Sequence, residues 1–153
     1  MNDIKDNDFQ DSMKIGNNSE LDKIWQSVYQ EFFPTMKDII KGNKCYCYSQ
    51  IKGIDKIIYL ENGNMITVDE KVRINDHGDI ALEYISNDYT NALGWVEKQM
   101  FCNYIAYMIL FSREVHFLDY QKLKIAWEKN KEEWFKLYSY KIVKARNEYY
   151  YTL

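Results

Sequence analysis

The stretch GIDKIIYLENGNMITVDEKVR, residues 53–73, admits few backbone arrangements. Asn62-Gly63 readily supplies positive φ angles, so it marks a hairpin connection between two arms rich in β-branched and aromatic residues. The loop sets the register. With a two-residue loop, Glu61 pairs with Asn64 and Asp55 stands opposite Glu70; a one-residue bulge brings Asp55 level with Asp69 instead. Side chains alternate along a strand, so Asp69 and Lys71 share one face and Glu70 takes the other. Three charges in an apolar strand require an account, because a buried unpaired charge is costly unless it finds a partner, shifts its pKa or binds a metal.

The chain has 153 residues, 46% hydrophobic and 28% charged, which suits a single compact domain rather than a disordered polymer. Residues 1–18 read as a flexible lead and residues 19–153 as that domain. One proline and six glycines imply mostly regular structure. No apolar run reaches the roughly 18 residues of a membrane span, and the acidic, polar N-terminus lacks a signal-like apolar region. A cytoplasmic protein without membrane association is expected. Three cysteines, with no C-x-x-C, fit free thiols better than a disulfide framework, and Cys45 and Cys47 are spaced for one face of a strand. Two histidines and three scattered cysteines make no zinc ligand set.

The net charge of −3 argues against nonspecific polyanion binding, but its distribution is uneven. Residues 51–100 hold nine acids and five bases, whereas residues 101–153 hold nine bases and six acids. Two readings fit: a metal site beside a phosphate-contacting surface, or solvated faces of mixed charge.

A first helix is expected over residues 20–33, introduced by Ser19 with Asp22 in its first turn and ended by Pro34. Leu21, Ile24, Val28 and Phe32 form its predicted buried stripe, widened by Trp25, with Glu31 at the stripe's edge. CYCYSQI alternates as a strand, and the hairpin arms cover residues 54–60 and 65–73. DIALEYIS, residues 79–86, is predicted to complete an antiparallel meander after a turn at 75–78. Residues 95–108 read as a second helix, followed by a short strand or strand pair through MILFS and VHFLDY. Asp119 is placed to cap a long helix with Leu123, Trp127, Asn130, Trp134 and Leu137 on one face. The tail ARNEYYYTL has a strand-like pattern. The fold class expected is α+β, or a three-layer α/β/α arrangement, with a central mixed sheet built on the meander and flanked by helices.

Asp55 and Asp69 would repel at close range unless a cation intervenes, and hard carboxylate oxygens suit Mg²⁺ or Mn²⁺. Lys71 could then orient water or stabilise charge on a phosphoryl oxygen. Glu31, reaching from the first helix, could ligate the metal directly or through water.

With Glu31 on a helix, Asp55 on a strand and Asp69-Glu70-Lys71 after a hairpin, the chain resembles the PD-(D/E)XK nuclease superfamily, particularly its small phage-encoded members. The similarity runs over residues 19–138, with Gly53-Ile54-Asp55 replacing the Pro-Asp form of the motif. It implies a restriction-endonuclease-like fold and Mg²⁺- or Mn²⁺-dependent nuclease activity on DNA, with RNA as the other substrate class. It further implies Asp55, Asp69 and Lys71 as catalytic residues, Asp55, Asp69 and the Glu70 carbonyl as metal ligands, and Glu31 as an auxiliary ligand. Lys98 and Gln99 would lie near the scissile phosphate, and Lys122 and Lys124 on the long basic helix would contact the nucleic-acid backbone.

Blander readings stand beside these. Asp69 and Lys71 alone could be an exposed ion pair, worth little. Glu83 could partner a lysine near the site or form an ordinary buried or edge ion pair. His77, His116 and Cys102 read as turn, packing and core residues. A catalytically silent relative binding a host protein or a nucleic-acid complex is the alternative function. Homodimerisation would need a surface stripe, for which the Trp127/Trp134 face is the one candidate, although it also suits the core.

Overall fold

The computed structural model describes residues 19–42, 53–138, 141–145 and 148–153. The expected lead at 1–18 and the strand expected for CYCYSQI lie outside the described residues. The elements are α1 (Ser19–Phe32), β1 (Met36–Lys41), β2 (Lys56–Leu60), β3 (Met65–Arg73), β4 (Glu83–Asn87), β5 (Ala92–Leu93), β6 (Tyr104–Ile109), β7 (Glu114–Asp119), α2 (Tyr120–Leu137), β8 (Lys141–Ala145) and β9 (Glu148–Thr152).

The principal sheet has five strands in the order β1-β2-β3-β6-β7. Only β3 and β6 pair in parallel, so β2 and β7 run against the other three. A second, antiparallel sheet has the order β5-β4-β9-β8. The molecule is therefore mixed α+β, with two helices among the described residues.

In the β2–β3 hairpin Tyr59 pairs with Met65 and Lys56 with Val68. Leu60 N–H donates to Asn64 O and Gly63 adopts φ 84°, so the loop contains three residues, Glu61 to Gly63. A glycine suits that left-handed position because it has no Cβ. The loop thus gives the bulged register, with Asp55 brought toward Asp69. At the hairpin's open end the Asp55 amide donates to Val68 O at 2.8 Å, so the ladder shifts there.

Each face of the principal sheet carries a core. On one side α1 lays Leu21, Trp25, Tyr29 and Phe33 against Ile58, Val68, Ala106 and Met108. That i, i+4 stripe corrects the predicted one: Ile24 and Phe32 are about half exposed, at 47% and 49%. Tyr29 and Phe33 fill the core instead, and Phe32 stacks on Phe117 at the flank. On the other side, Ile105, Tyr107 and Ile109 pack with Trp95, Val96, Met100, Cys102, Tyr120 and Trp127.

The long C-terminal helix begins as expected, with the Asp119 carboxylate accepting from the Lys122 amide at 3.1 Å. Trp127 is fully buried and Trp134 packs against the same cluster, so these two tryptophans serve the core, whereas Leu137 at the end of that face is 65% exposed. Two other expectations are corrected. Residues 95–108 are not a helix: 95–98 form a turn and 104–109 the parallel partner of β3. A central strand buried on both faces reads as a continuous apolar run, and YIAYMI lacks the alternation that would distinguish it from a buried helix. The strand within 79–86 does not complete a meander either; β4 joins the second sheet beside β9. Among the described residues no helix is long and apolar enough to cross a membrane.

Candidate active site

Strand parity and hairpin register bring the charges of β3 and its neighbours to defined faces. Asp69 and Lys71 stand level with Ile105 and Tyr107 of β6, on the α2 side of the sheet. Asp69 is only 5% exposed. Its buried Oδ2 is in close ionic contact with Lys71 Nζ.

Asp55 arrives from the open end of β2. Its carboxylate Oδ2 accepts the Glu70 amide at 2.8 Å, which ties the residue before β2 to the centre of β3. Burial pushes the Asp55 carboxyl above the usual range, and the neighbouring Asp69 charge pushes it further, outweighing Lys71 and Lys56. Burial disfavours the Lys71 ammonium, but Asp69, Asp55 and Glu83 together hold its pKa above the ordinary lysine value. Lys71 is therefore a persistent cation, not a general base at neutral pH.

Glu83, at the start of β4, completes this face. Its backbone meets Gly94 so closely that a Cβ there would lie 2.1 Å from Glu83 O, and the Val96 amide donates to the same carbonyl at 3.1 Å. Burial raises the Glu83 carboxyl, opposed by the charges of Lys71 and Lys98. Three carboxylates thus act on Lys71.

The Glu70 side chain turns to the α1 side, as parity requires. There Tyr29 Oη donates to Glu70 Oε1 at 2.9 Å, and Lys56 Nζ lies 3.3 Å from the same oxygen. Lys56 also reaches Asp22 Oδ1 at 3.2 Å, and Asp22 pairs with Lys41. Burial raises the Glu70 carboxyl despite Lys56 and Tyr29, and burial beside Glu70 raises the Tyr29 phenol. Tyr29 and Lys56 were not anticipated as neighbours of the site. Their signal was present in the i+4 spacing of Tyr29 from Trp25, and in the parity that puts Lys56 on the face of Ile58.

Glu31 does not join this cluster. It is exposed on α1, and two residues from Tyr29 is about 200° around the helix, so it points away from the sheet. The expected core-edge placement followed from the wrong stripe. Lys124 is also diverted: its Nζ donates to Val96 O at 3.1 Å and Glu97 O at 2.7 Å, tying α2 to the 95–98 turn, and it pairs with Glu128. Lys98 is half-buried and its charge reaches Glu83, while Gln99 is exposed beside it. Lys122 is exposed at the start of α2, 3.2 Å from Asp119.

Among the described residues, no three or more His, Cys, Asp or Glu side chains are arranged to hold a metal ion. Asp55 and Asp69 form a smaller set, suited to Mg²⁺, which typically takes one or two carboxylates and keeps several waters. The mutual repulsion of these two buried carboxylates fits such an ion. No protein-family model, curated protein or solved structure matches this chain.

Proposed function

We propose that this protein is a metal-dependent phosphodiesterase of the restriction-endonuclease-like type, encoded by a phage or mobile element and acting on DNA in the cytoplasm. The observation that carries the reading is the common face of Asp55, Asp69 and Lys71, with the buried Asp69 carboxylate paired to Lys71. A mixed five-stranded sheet with the charged hairpin at its centre supports the same reading.

Asp55, Asp69 and the Glu70 carbonyl would hold Mg²⁺ or Mn²⁺. The ion would supply Lewis acidity toward a phosphoryl oxygen and a lower pKa for the attacking water. Lys71, kept protonated, places its ammonium where negative charge develops on the phosphoryl group. The Glu70 amide orients Asp55, and the Glu70 side chain anchors that part of β3 to α1. Lys98, Gln99 and Lys122 are the residues offered to the nucleic-acid backbone; Glu31 and Lys124 have no part in the site.

The test is cleavage of plasmid, branched, single-stranded and RNA substrates with Mg²⁺ or Mn²⁺. Wild type should cleave DNA, and Asp69→Ala and Lys71→Ala should each lose about 10²-fold or more while remaining folded by circular dichroism. Absence of cleavage across the panel, together with absence of metal binding by calorimetry, overturns the reading in favour of a catalytically silent protein that binds a host partner.

A further inference from the structure

We infer that Lys56 is a positioning residue for the proposed metal site: through the Glu70 carboxylate, on the opposite face of the sheet, it fixes the limb carrying Asp69 against the limb carrying Asp55. The inference rests on that metal-site reading and concerns what holds its two carboxylates at one spacing. Spacing matters because Mg²⁺ demands oxygen ligands at about 2.0–2.1 Å in near-ideal geometry.

The need arises where the β2–β3 ladder ends. Lys56 and Val68 are its last partners, and β3 runs on to Arg73 beside β6. Asp55 therefore stands at the end of one limb, and Asp69 just past the last pair on the other. The Asp55 amide still reaches Val68 O at 2.8 Å, but the Glu70 amide, turned to the same side, takes the Asp55 carboxylate instead of a carbonyl. That tie ends on an oxygen of a proposed ligand. The Lys56 tie does not: its Nζ lies 3.3 Å from Glu70 Oε1, a side-chain oxygen outside the proposed ligand set. Lys56 is 7% exposed and its Nζ also lies 3.2 Å from Asp22 Oδ1, while Tyr29 Oη donates to the same Glu70 oxygen at 2.9 Å, so both partners are held from α1. Consecutive residues thus grip Glu70 from the two faces of the sheet, Asp55 at its amide and Lys56 at its carboxylate.

Charge-matched variants separate the tie from the charge. Glu70→Gln keeps an oxygen for Lys56 and Glu70→Met removes it, and both lose the same negative charge. Mn²⁺ affinity is measured by calorimetry for each, with Lys56 and with Lys56→Met, alongside wild type, and folding is checked by circular dichroism. None of these four variants leaves the Glu70 carboxylate buried without its lysine, the costly way to break such a pair. With Lys56 present, Glu70→Gln should bind Mn²⁺ about tenfold more tightly than Glu70→Met, the scale of an outer residue that supports the ligands. With Lys56→Met the two should bind alike. Equal affinities with Lys56 present overturn the inference, and so does a gap that persists in Lys56→Met, which gives the role to Tyr29. Absence of Mn²⁺ binding by wild type overturns the metal-site reading and the inference with it, an outcome distinct from the other two. If Glu70→Met fails to fold, Lys56→Met alone is compared with wild type. Loss of the tie should weaken Mn²⁺ binding even though a cation has been removed from the neighbourhood, and unchanged or tighter binding overturns the inference.

Discussion

Asp55, Glu70 and Glu83 are carboxyls whose proton affinity is raised in the folded chain, each chiefly by burial. A carboxyl with a raised folded pKa binds its proton more tightly when native than when unfolded, so stability falls as pH rises from the ordinary carboxylate value through the raised one. At neutral pH the metal-free protein therefore carries a penalty at these positions. Asp55→Asn should remove part of it: the side-chain oxygen still accepts from the Glu70 amide, and the repulsion with Asp69 is gone. Urea denaturation should show the variant more stable than wild type at pH 7, with the difference shrinking as pH is lowered toward 4. A variant less stable at pH 7 would mean that Asp55 is already compensated. On the opposite face, Lys56→Met leaves Glu70 with Tyr29 alone, and loss of one partner of a buried pair costs about 3–5 kcal/mol. Tyr29→Phe removes only the hydroxyl bond, for about 1–2 kcal/mol. Chemical denaturation at pH 7 should rank Lys56→Met below Tyr29→Phe.

At the scale of elements, α2 depends on its first residue for a clean start. Asp119→Ala frees the Lys122 amide and should cost about 1 kcal/mol by the same measurement. That cap was legible because an acidic residue ahead of an amphipathic run has a local cause, as was the β2–β3 hairpin with its Asn-Gly signal. Strand β6 was not legible. Ala106 and Met108 face α1 while Ile105, Tyr107 and Ile109 face the opposite core, so no polar positions betray the period of two. The fate of β4 was hidden for another reason: its partner β9 lies more than sixty residues along the chain, and no local pattern chooses between the hairpin and that distant strand. The same distance principle sorts the site. Asp55, Asp69, Glu70 and Lys71 took their faces from parity and one turn, whereas Glu31 depended on which helical stripe the sheet selects. Two bulky aromatics, Tyr29 and Phe33, decided that choice by filling the α1 core.

Across the whole molecule, the cluster draws charge from three segments: β3 supplies Asp69 and Lys71, the segment before β2 supplies Asp55, and β4 of the second sheet supplies Glu83. A ligand bound there should stabilise the fold globally, because it binds the native arrangement and not the dispersed carboxylates of the unfolded chain. Linkage fixes the size: at 100 times its dissociation constant, an ion contributes about 2.7 kcal/mol, whichever residues hold it. Saturating Mn²⁺ should accordingly raise the melting temperature of wild type by several degrees, more at pH 7 than at pH 5, since the raised carboxyl of Asp55 must lose its proton to bind. Asp69→Asn should abolish the shift, because it removes one of the ion's two carboxylate ligands, and should melt below metal-free wild type, because the buried Lys71 loses the carboxylate paired with it. Differential scanning calorimetry of both proteins, with and without Mn²⁺, separates the outcomes. An equal rise in the variant would place the ion elsewhere on the surface, and the charged face of β3 would then be a structural ion pair within that strand.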